Sequence, residues 1–335
     1  MRYRLPLQKL FGLWEQIRSN ISGDIVIVFH KPYCRSRKIT YSGSIKGYEV
    51  GQLGGSEVEA RRFAAVIKVL KTMIVNLVQD RTTTKRDVYY QDVGLFQKSQ
   101  PFANELIECI VGSLGMCAEK DLKIFASQKG LIFGNMRFRR MGIECELDEP
   151  VLIPRTNELE AVDPPKGIVV IEKEAVFKSF CKYIQNIDVS LIAVTGKGFP
   201  DSLTKRFVGS LGETYPKVPI MAFMDSDVYG LSICKNYKYA KNFDSVVCPK
   251  LTFAGVFLTE YASGWLDISA RDWRMMSNFI RDIKLLQRPV PEEQELNKWH
   301  RELTRGLVLF KKSEMNIVDS CPNEYILRKI KQYIQ

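Results

Sequence analysis

Three short apolar runs recur between residues 167 and 224 with helical spacers between them, and no other feature limits the possible folds as much. The runs are Gly167-Ile-Val-Val-Ile171, Val189-Ser-Leu-Ile-Ala-Val194 and Val218-Pro-Ile-Met-Ala-Phe-Met224. A strand without polar alternation has to be covered on both faces, which is the condition of a parallel sheet held between helical layers. The spacers carry a helix from about Glu174 to Ile184 and another near Ser202–Leu211, so the region reads as repeated strand–helix units of an α/β domain with a mainly parallel sheet. From about Asp272 the chain turns helical and charged, with Leu303, Leu307, Leu309 and Met315 as apolar positions.

Ligands of open parallel sheets lie beyond the carboxyl ends of the strands. Glu172 directly follows the first run, and Asp225 and Asp227 follow the third. Three carboxylates from two strand ends suit one hard cation such as Mg²⁺, which takes a few carboxylates and leaves its other positions to water and phosphate. A D-x-D pair also serves as an ordinary loop or helix cap. Glu174, two residues further on, suits the first turn of a helix. The loop Thr195-Gly-Lys-Gly-Phe199 is not a Walker P-loop, because Leu191 stands where the first glycine belongs and Gly198 where a Ser or Thr belongs. Its amides and Lys197 suit a phosphate, and a tight strand-to-helix turn suits the same residues equally well.

The first half has a different grammar. A strand candidate covers Asp24–Phe29, and a glycine cluster at 51–55 suggests a boundary. Ser56 and Glu59 form a capping box ahead of Phe63, Val66, Ile67, Leu70, Met73, Ile74 and Leu77 at helical spacing. A second helix is predicted from about Lys85 to Phe96 after a break at Arg81–Thr84, and a third carries Leu106, Ile107, Ile110, Val111 and Leu114. Short strands follow at 122–125, 130–133 and 136–145. Three helices and a β-ribbon outline a winged helix-turn-helix. Prolines 150, 154, 164 and 165 mark a linker. The expected organisation is an N-terminal extension over 1–54, a winged-helix domain over 55–155 and an α/β domain with C-terminal helices over 156–335.

On the second predicted helix Tyr89 lines up with Val93 and Phe96 and should face the core. Tyr90 lines up with Arg86 one turn earlier and Gly94 one turn later, which leaves it accessible beside a cation. A phenol with a pKa near ~10 needs a proton acceptor or a cation nearby to attack phosphorus. Simple packing of a helical tyrosine fits the same spacing.

The 335 residues carry 49 Lys+Arg against 38 Asp+Glu, a net charge of +11. The excess is clustered: Lys31, Arg35, Arg37 and Lys38 surround Tyr33, and Arg137, Arg139 and Arg140 flank Phe138. Such mixtures favour phosphate backbones without specifying a base sequence. Eight cysteines include no C-x-x-C pair, and His30 and His300 are the two histidines, which argues against a zinc finger and against His-based catalysis. The scattered cysteines read as reduced thiols of an intracellular protein. No apolar run approaches the ~20 residues of a membrane span, so no membrane association and no secretory signal are expected.

Arg86-Asp-Val-Tyr-Tyr90 resembles the catalytic tyrosine motif of the topoisomerase VI A-subunit family, which includes the meiotic protein that makes programmed DNA double-strand breaks. Gln128-Lys-Gly130 resembles the family's lysine-glycine strand, Ile171-Glu-Lys-Glu-Ala-Val-Phe177 its first Toprim motif and Asp225-Ser-Asp-Val-Tyr-Gly230 its second. Thr195-Gly-Lys-Gly-Phe-Pro-Asp201 is similar to its glycine loop. The likeness spans about 55–260, with wording closer to the eukaryotic meiotic branch than to the archaeal enzyme. Val228 stands where the family usually has Pro, preceded by Ser226, and a shifted loop with intact ligands is expected there.

The resemblance implies a type IIB topoisomerase-like transesterase with a tyrosine-bearing winged helix followed by a Toprim domain. Tyr90 would be the nucleophile, with Arg86 at the scissile phosphate. Glu172, Asp225 and Asp227 would bind Mg²⁺, with Mn²⁺ as a substitute, and Lys129 would lie near the DNA. Arg137, Arg139, Arg140 and Lys197 complete the expected DNA contacts. A homodimer, pairing the tyrosine of one protomer with the metal site of the other, would cleave double-stranded DNA through 5′-phosphotyrosyl links and so initiate homologous recombination in meiosis. Accessory meiotic proteins and a B-type, ATPase-like subunit would be partners, on chromosomes in the nucleus. The competing readings are a non-catalytic winged-helix DNA-binding protein and a Toprim-type hydrolytic nuclease.

Overall fold

The computed structural model describes residues 4–19, 24–30, 38–44, 57–155, 159–239, 246–286, 292–315 and 322–334. The basic cluster at 31–37, with Tyr33, and the glycine cluster and Ser56 cap at 51–56 lie outside the described residues. The chain divides into two compact units, Met1–Ser127 and Gln128–Gln335. No helix among the described residues is long and apolar enough to cross a membrane.

The first unit runs α1 (Arg4–Ser19), β1 (Asp24–His30), β2 (Lys38–Ser44), α2 (Glu57–Val78), β3 (Thr83–Thr84), α3 (Lys85–Tyr90), α4 (Gln100–Ser113), α5 (Ala118–Leu122) and β4 (Ile124–Phe125). Strands β1 and β2 pair antiparallel, and β3 pairs with β4 in parallel. Its core joins Val66, Val69, Leu70 and Met73 of α2 to Leu106, Ile107 and Ile110 of α4, with Leu10, Val88, Phe96 and Leu122 closing the sides. These are the apolar stripes that helical spacing selects.

Helix α3 is shorter than the sequence pattern suggests. Thr84 caps its start reciprocally with Asp87: the Thr84 hydroxyl accepts from the Asp87 amide at 3.0 Å, and the Asp87 carboxylate accepts from the Thr84 amide at 2.8 Å. The helix ends at Tyr90 and does not reach Phe96. Asp92 turns its carboxylate onto the Leu95 amide at 3.0 Å, and Asp and Gly94 are both poor in helix interiors. The turn carries Phe96 into the core, and Gly94 is not on the Tyr90 helix.

The second unit runs β5 (Leu131–Gly134), β6 (Phe138–Arg140), β7 (Ile143–Cys145), β8 (Val151–Leu152), β9 (Leu159–Ala161), β10 (Gly167–Ile171), α6 (Glu174–Ile184), β11 (Leu191–Thr195), α7 (Ser202–Thr214), β12 (Ile220–Phe223), α8 (Val228–Lys238), β13 (Leu251–Gly255), β14 (Leu266–Asp267), α9 (Ala270–Lys284), α10 (Glu292–Leu309), β15 (Lys311–Lys312) and α11 (Pro322–Ile334). The main sheet has the order β13-β12-β10-β11-β5-β8, parallel from β13 to β11, with β5 and β8 antiparallel at one side. Strands β10, β11 and β12 are buried along their whole length, and alternate residues feed two cores. Ile168, Val170, Ile192 and Val194 meet α7 to α10 on one face, and Val169, Ile171, Leu191 and Ala193 meet α6 and α11 on the other.

The chain leaves β10 through α6 toward β11, then returns from β11 through α7 past β10 to β12. Right-handed crossovers running in opposite directions have to use opposite faces, and α6 and α7 do lie on opposite faces. The reversal creates a switch point at the carboxyl ends of β10 and β12, where Glu172, Asp225 and Asp227 stand.

The strands expected to form the wing of a 55–155 domain, β5 to β7, belong to this second unit. All four residues of β5 are buried, so the strand needs cover on both faces and neighbours on both edges, and β11 and β8 supply the edges. The two compact units part between Ser127 and Gln128, so a winged-helix domain reaching residue 155 would draw on both. Gly130 sits where a side chain has no room: a Cβ there would lie 2.0 Å from Thr204 Oγ1 and 2.9 Å from Ile153 Cδ1. Gly130→Ala is expected to destabilise the fold by about 1–3 kcal/mol in thermal unfolding. Gly112→Ala, in α4 with nothing within 4 Å of the added carbon, should be neutral or stabilise by up to ~1 kcal/mol.

Candidate active site

The candidate side chains form two groups, one in each unit. In the first, Tyr90 ends α3 with 56% of its surface exposed. One turn earlier, Arg86 donates from Nη2 to Tyr90 Oη at 3.2 Å, and its guanidinium carbon lies 5.4 Å from the ring centroid. That bond holds the arginine above its ordinary pKa, so it is a permanent cation beside the phenolic oxygen. Tyr89 is half-buried, 6.4 Å from the Phe96 ring and 5.1 Å from the Tyr90 ring. The i, i+4 spacing thus pairs Arg86 with Tyr90 and turns Tyr89 toward the core.

In the second unit, the Asp225 amide donates to Glu172 Oε2 at 3.1 Å, which joins the two strand ends directly. Asp225 is only 7% exposed. Its Oδ1 accepts from the Met315 amide at 2.7 Å, and its Oδ2 faces Lys173 Nζ at 3.1 Å. Asp227 begins α8 as its N-cap, accepting from the Gly230 amide at 2.7 Å. Gly230 is required here, since a Cβ would lie 2.1 Å from the Asp225 carbonyl oxygen. Val228 is the first helical residue, where proline is equally at home.

Burial first, and then the negative charges of Asp225 and Asp227, push the Glu172 carboxyl up to about 7, against the Asp225 amide and Lys173. Asp225 and Asp227 are raised as well, chiefly by burial. Hard oxygen donors with unbalanced negative charge are the chemistry a divalent cation needs. Among the described residues no group of three or more His, Cys, Asp or Glu is placed to hold an ion by itself, so a cation here would take one or two of these carboxylates and complete its shell with water and phosphate. Asp225 has both oxygens engaged and Asp227 uses one on its helix cap.

Glu174 lies apart, paired with Lys178 at 2.8 Å and Lys197 at 3.2 Å, and these bonds hold its carboxyl below the usual range. Lys197 is therefore tied to Glu174. The glycine loop closes on the site through its backbone, with the Gly198 amide on the Glu172 carbonyl at 3.0 Å. Asp201 caps α7 through the Leu203 and Thr204 amides and also accepts from the Lys129 amide at 3.3 Å, which fixes the Gln128-Lys-Gly130 segment ahead of β5 beside that helix. Arg137 pairs with Glu144 at 3.2 Å and Asp163 at 3.5 Å, and Arg139 pairs with Glu144 at 3.5 Å. Exposed pairs like these contribute little and exchange readily for a stronger anion. Arg140 is exposed and lines a groove of about 600 Å³ with Arg155 and Gln128.

Sequence reasoning missed the residues that clamp the D-x-D loop. Glu302, 3% exposed, accepts from Ser226 Oγ and from the Leu258 amide, both at 2.6 Å, and pairs with Arg305 at 3.1 Å. Ser226 and Ser313 exchange backbone hydrogen bonds. Lys173 bridges Asp225 and Glu314, at 3.1 and 3.0 Å. The available signal was a pair of acids seven residues apart, Glu295 and Glu302, on the α10 face that also carries Leu296, Trp299 and Leu303.

Residues 167–335 match the Toprim domain of the topoisomerase 6 A-subunit/Spo11 proteins, and residues 61–124 match Type IIB DNA topoisomerase. The chain belongs to the topoisomerase VI A-subunit/Spo11 family. It is 30% identical to the meiotic recombination protein rec12 of Schizosaccharomyces pombe, over 78% of this chain and 74% of that one. It is 26% identical to the meiosis-specific protein SPO11 of Saccharomyces cerevisiae (80% and 74% covered) and 27% identical to the meiotic recombination protein SPO11 of Mus musculus (94% and 77% covered). The Toprim match covers all three carboxylates, and the topoisomerase match covers Arg86 and Tyr90.

Two outcomes follow from the site's electrostatics. Because the folded state raises Glu172 above its unfolded value, the fold binds the extra proton, and stability is lost as pH rises from about 4.5 through about 7. In chelator-containing buffer, Glu172→Gln should match wild type near the lower limit and exceed it above the upper one, by no more than about 3 kcal/mol. Ser226→Ala should lower stability by about 1–3 kcal/mol by removing a donor from buried Glu302. Thermal unfolding across the pH range measures both.

Proposed function

We propose that this chain is a topoisomerase-like DNA transesterase that makes meiotic double-strand breaks and so initiates homologous recombination. The observation that carries the reading is Tyr90, exposed at a helix end with the Arg86 guanidinium already on its oxygen, inside the segment that matches the type IIB topoisomerases. The curated relatives, named as meiotic recombination proteins, supply the biological setting.

In the proposed step Tyr90 Oη attacks a backbone phosphorus. An O–P bond forms, the P–O3′ bond breaks, the phenol gives up its proton, and the departing 3′ oxygen takes one up. The phosphodiester count is unchanged, so the strand end stays linked as a 5′-phosphotyrosine and no nucleotide hydrolysis is required. Arg86 stabilises negative charge on the attacking oxygen and remains in reach of the phosphate it joins. Lys129, Arg137, Arg139, Arg140 and Lys197 would hold the backbone of double-stranded DNA, with the paired residues exchanging carboxylate for phosphate. Glu172, Asp225 and Asp227 would hold Mg²⁺, or Mn²⁺ in its place, which neutralises phosphate charge as a Lewis acid when bound.

The helical first unit, with its β3–β4 pair, would be the helix-turn-helix body of a winged-helix domain. A homodimer in which each tyrosine serves the carboxylates of the other protomer would give a break in both strands. Accessory meiotic proteins, a B-type, ATPase-like subunit, and a nuclear, chromosomal setting complete the reading.

The test is supercoiled plasmid incubated with the protein and Mg²⁺ or Mn²⁺, then denatured in detergent. Wild type should give breaks whose 5′ ends open only after protease. Tyr90→Phe should give none while retaining DNA binding, and Arg86→Ala should lose about 10²–10³-fold in cleavage. Broken ends free of protein, or blocked ends from Tyr90→Phe, would overturn the assignment.

A further inference from the structure

Three lysines surround the carboxylates of the second unit, and they are seated differently. Lys197 lies on Glu174 at 3.2 Å, and Lys312 lies on Asp272 at 3.1 Å, reaching Asp227 only through space. Lys173 alone among the three touches a carboxylate of the site itself, at Asp225 Oδ2. The inner oxygen of Asp225 is already fixed by the Met315 amide, so Oδ2 is the side the carboxylate presents to a cation. Lys173 follows Glu172 directly, at the N-cap of α6, so its stem rises from the end of β10 and its ammonium crosses to the Asp225 carboxylate beyond β12. Its ammonium keeps a second partner outside the D-x-D loop, Glu314, at 3.0 Å.

We propose that Lys173 is a built-in counter-ion of the carboxylate site, holding Asp225 Oδ2 until a divalent cation displaces its ammonium onto Glu314. The proposal rests on the reading of Glu172, Asp225 and Asp227 as divalent-cation ligands. An ammonium and a metal ion bonded at ~2.1 Å cannot share one carboxylate oxygen in the same direction, so exchange is required. A monovalent ion brings no more charge than the ammonium it would replace and has little to gain. A dication brings one more, against Glu172 and Asp227, which burial and mutual repulsion have left short of positive charge. Glu314 makes the exchange possible because the released ammonium keeps a carboxylate partner. Lys173 is thus a positioning residue that sets the threshold for divalent ions and discriminates them from monovalent ones.

Lys173 is 28% exposed in its side chain and open to small amine-directed reagents. The full chain is pulsed with an acetylating N-hydroxysuccinimide ester at increasing Mg²⁺, with K⁺ at matched ionic strength as reference, and Lys173 acetylation is read by mass spectrometry. Calorimetry on the same samples gives the Mg²⁺ affinity. The expected result is a several-fold rise in Lys173 acetylation that saturates with the Mg²⁺ isotherm and is absent with K⁺. Lys173→Gln should bind Mg²⁺ several-fold more tightly than wild type, Lys173→Arg should stay near wild type, and Glu314→Gln should bind more weakly. Thermal unfolding confirms that each variant is folded. Mg²⁺ binding with Lys173 acetylation unchanged or lowered would overturn the proposal, as would unchanged affinity in Lys173→Gln. If Glu172→Gln abolishes Mg²⁺ binding while the lysine results are negative, the metal reading stands and the counter-ion role falls. If wild type and Lys173→Gln both fail to bind Mg²⁺, both readings fall.

Discussion

The parallel register between β10 and β12 determines where the chemistry of the second unit can be. Ile171 lies opposite Phe223, and the Glu172 amide continues the ladder to the Phe223 carbonyl at 3.1 Å. The next polar contact is the Asp225 amide on the Glu172 side chain. A slip of one residue would exchange the two cores, placing Val169 and Ile171 where Ile168 and Val170 now pack, and would turn Glu172 away from Asp225. The hydrophobic alternation that stabilises the sheet is therefore the same constraint that positions the carboxylates.

Concentrating three carboxylates at the adjoining ends of β10 and β12 opposes folding, and the surrounding contacts show how the chain offsets it. The loop between Asp225 and Asp227 is held from two directions, by Glu302 of α10 through Ser226 and by the Ser313–Met315 segment through backbone hydrogen bonds. Lys173 supplies direct countercharge, favoured in its charged form by Glu314 and Asp225 despite burial. These contacts keep the carboxylates buried and close together, and burial first, with their mutual repulsion second, raises the Glu172 pKa. The tyrosine group follows the opposite principle. Arg86 and Tyr90 are both exposed, and their bond lies within one helical turn, so little of the fold has to be organised to make it.

Local spacing explains which parts were legible in sequence. The apolar runs announced β10, β11 and β12, and residues directly following them had to be at the switch point. The Arg86–Tyr90 pair required only the helical period. What depended on long-range contacts was not legible. Glu302 meets Ser226 across 76 residues and Lys173 meets Glu314 across 141, and neither separation leaves a local pattern. The pairing of the strands after α5 was not legible either: chain order suggested a wing, whereas Leu131–Gly134 is fully buried and pairs with β11 in the large sheet. The stop of α3 at Tyr90 turned on a single side chain, Asp92, whose capping of the Leu95 amide competes with helical continuation.

The central claim is that Tyr90 is the atom source of the protein–DNA bond. The most direct measurement digests denatured cleavage products with nuclease and protease and locates the attached nucleotide by tandem mass spectrometry. The transesterase mechanism requires a phosphonucleotide on Tyr90, within the peptide that also contains Arg86 or adjoins it. A nucleotide mapped to Tyr89 or to any other residue would contradict it.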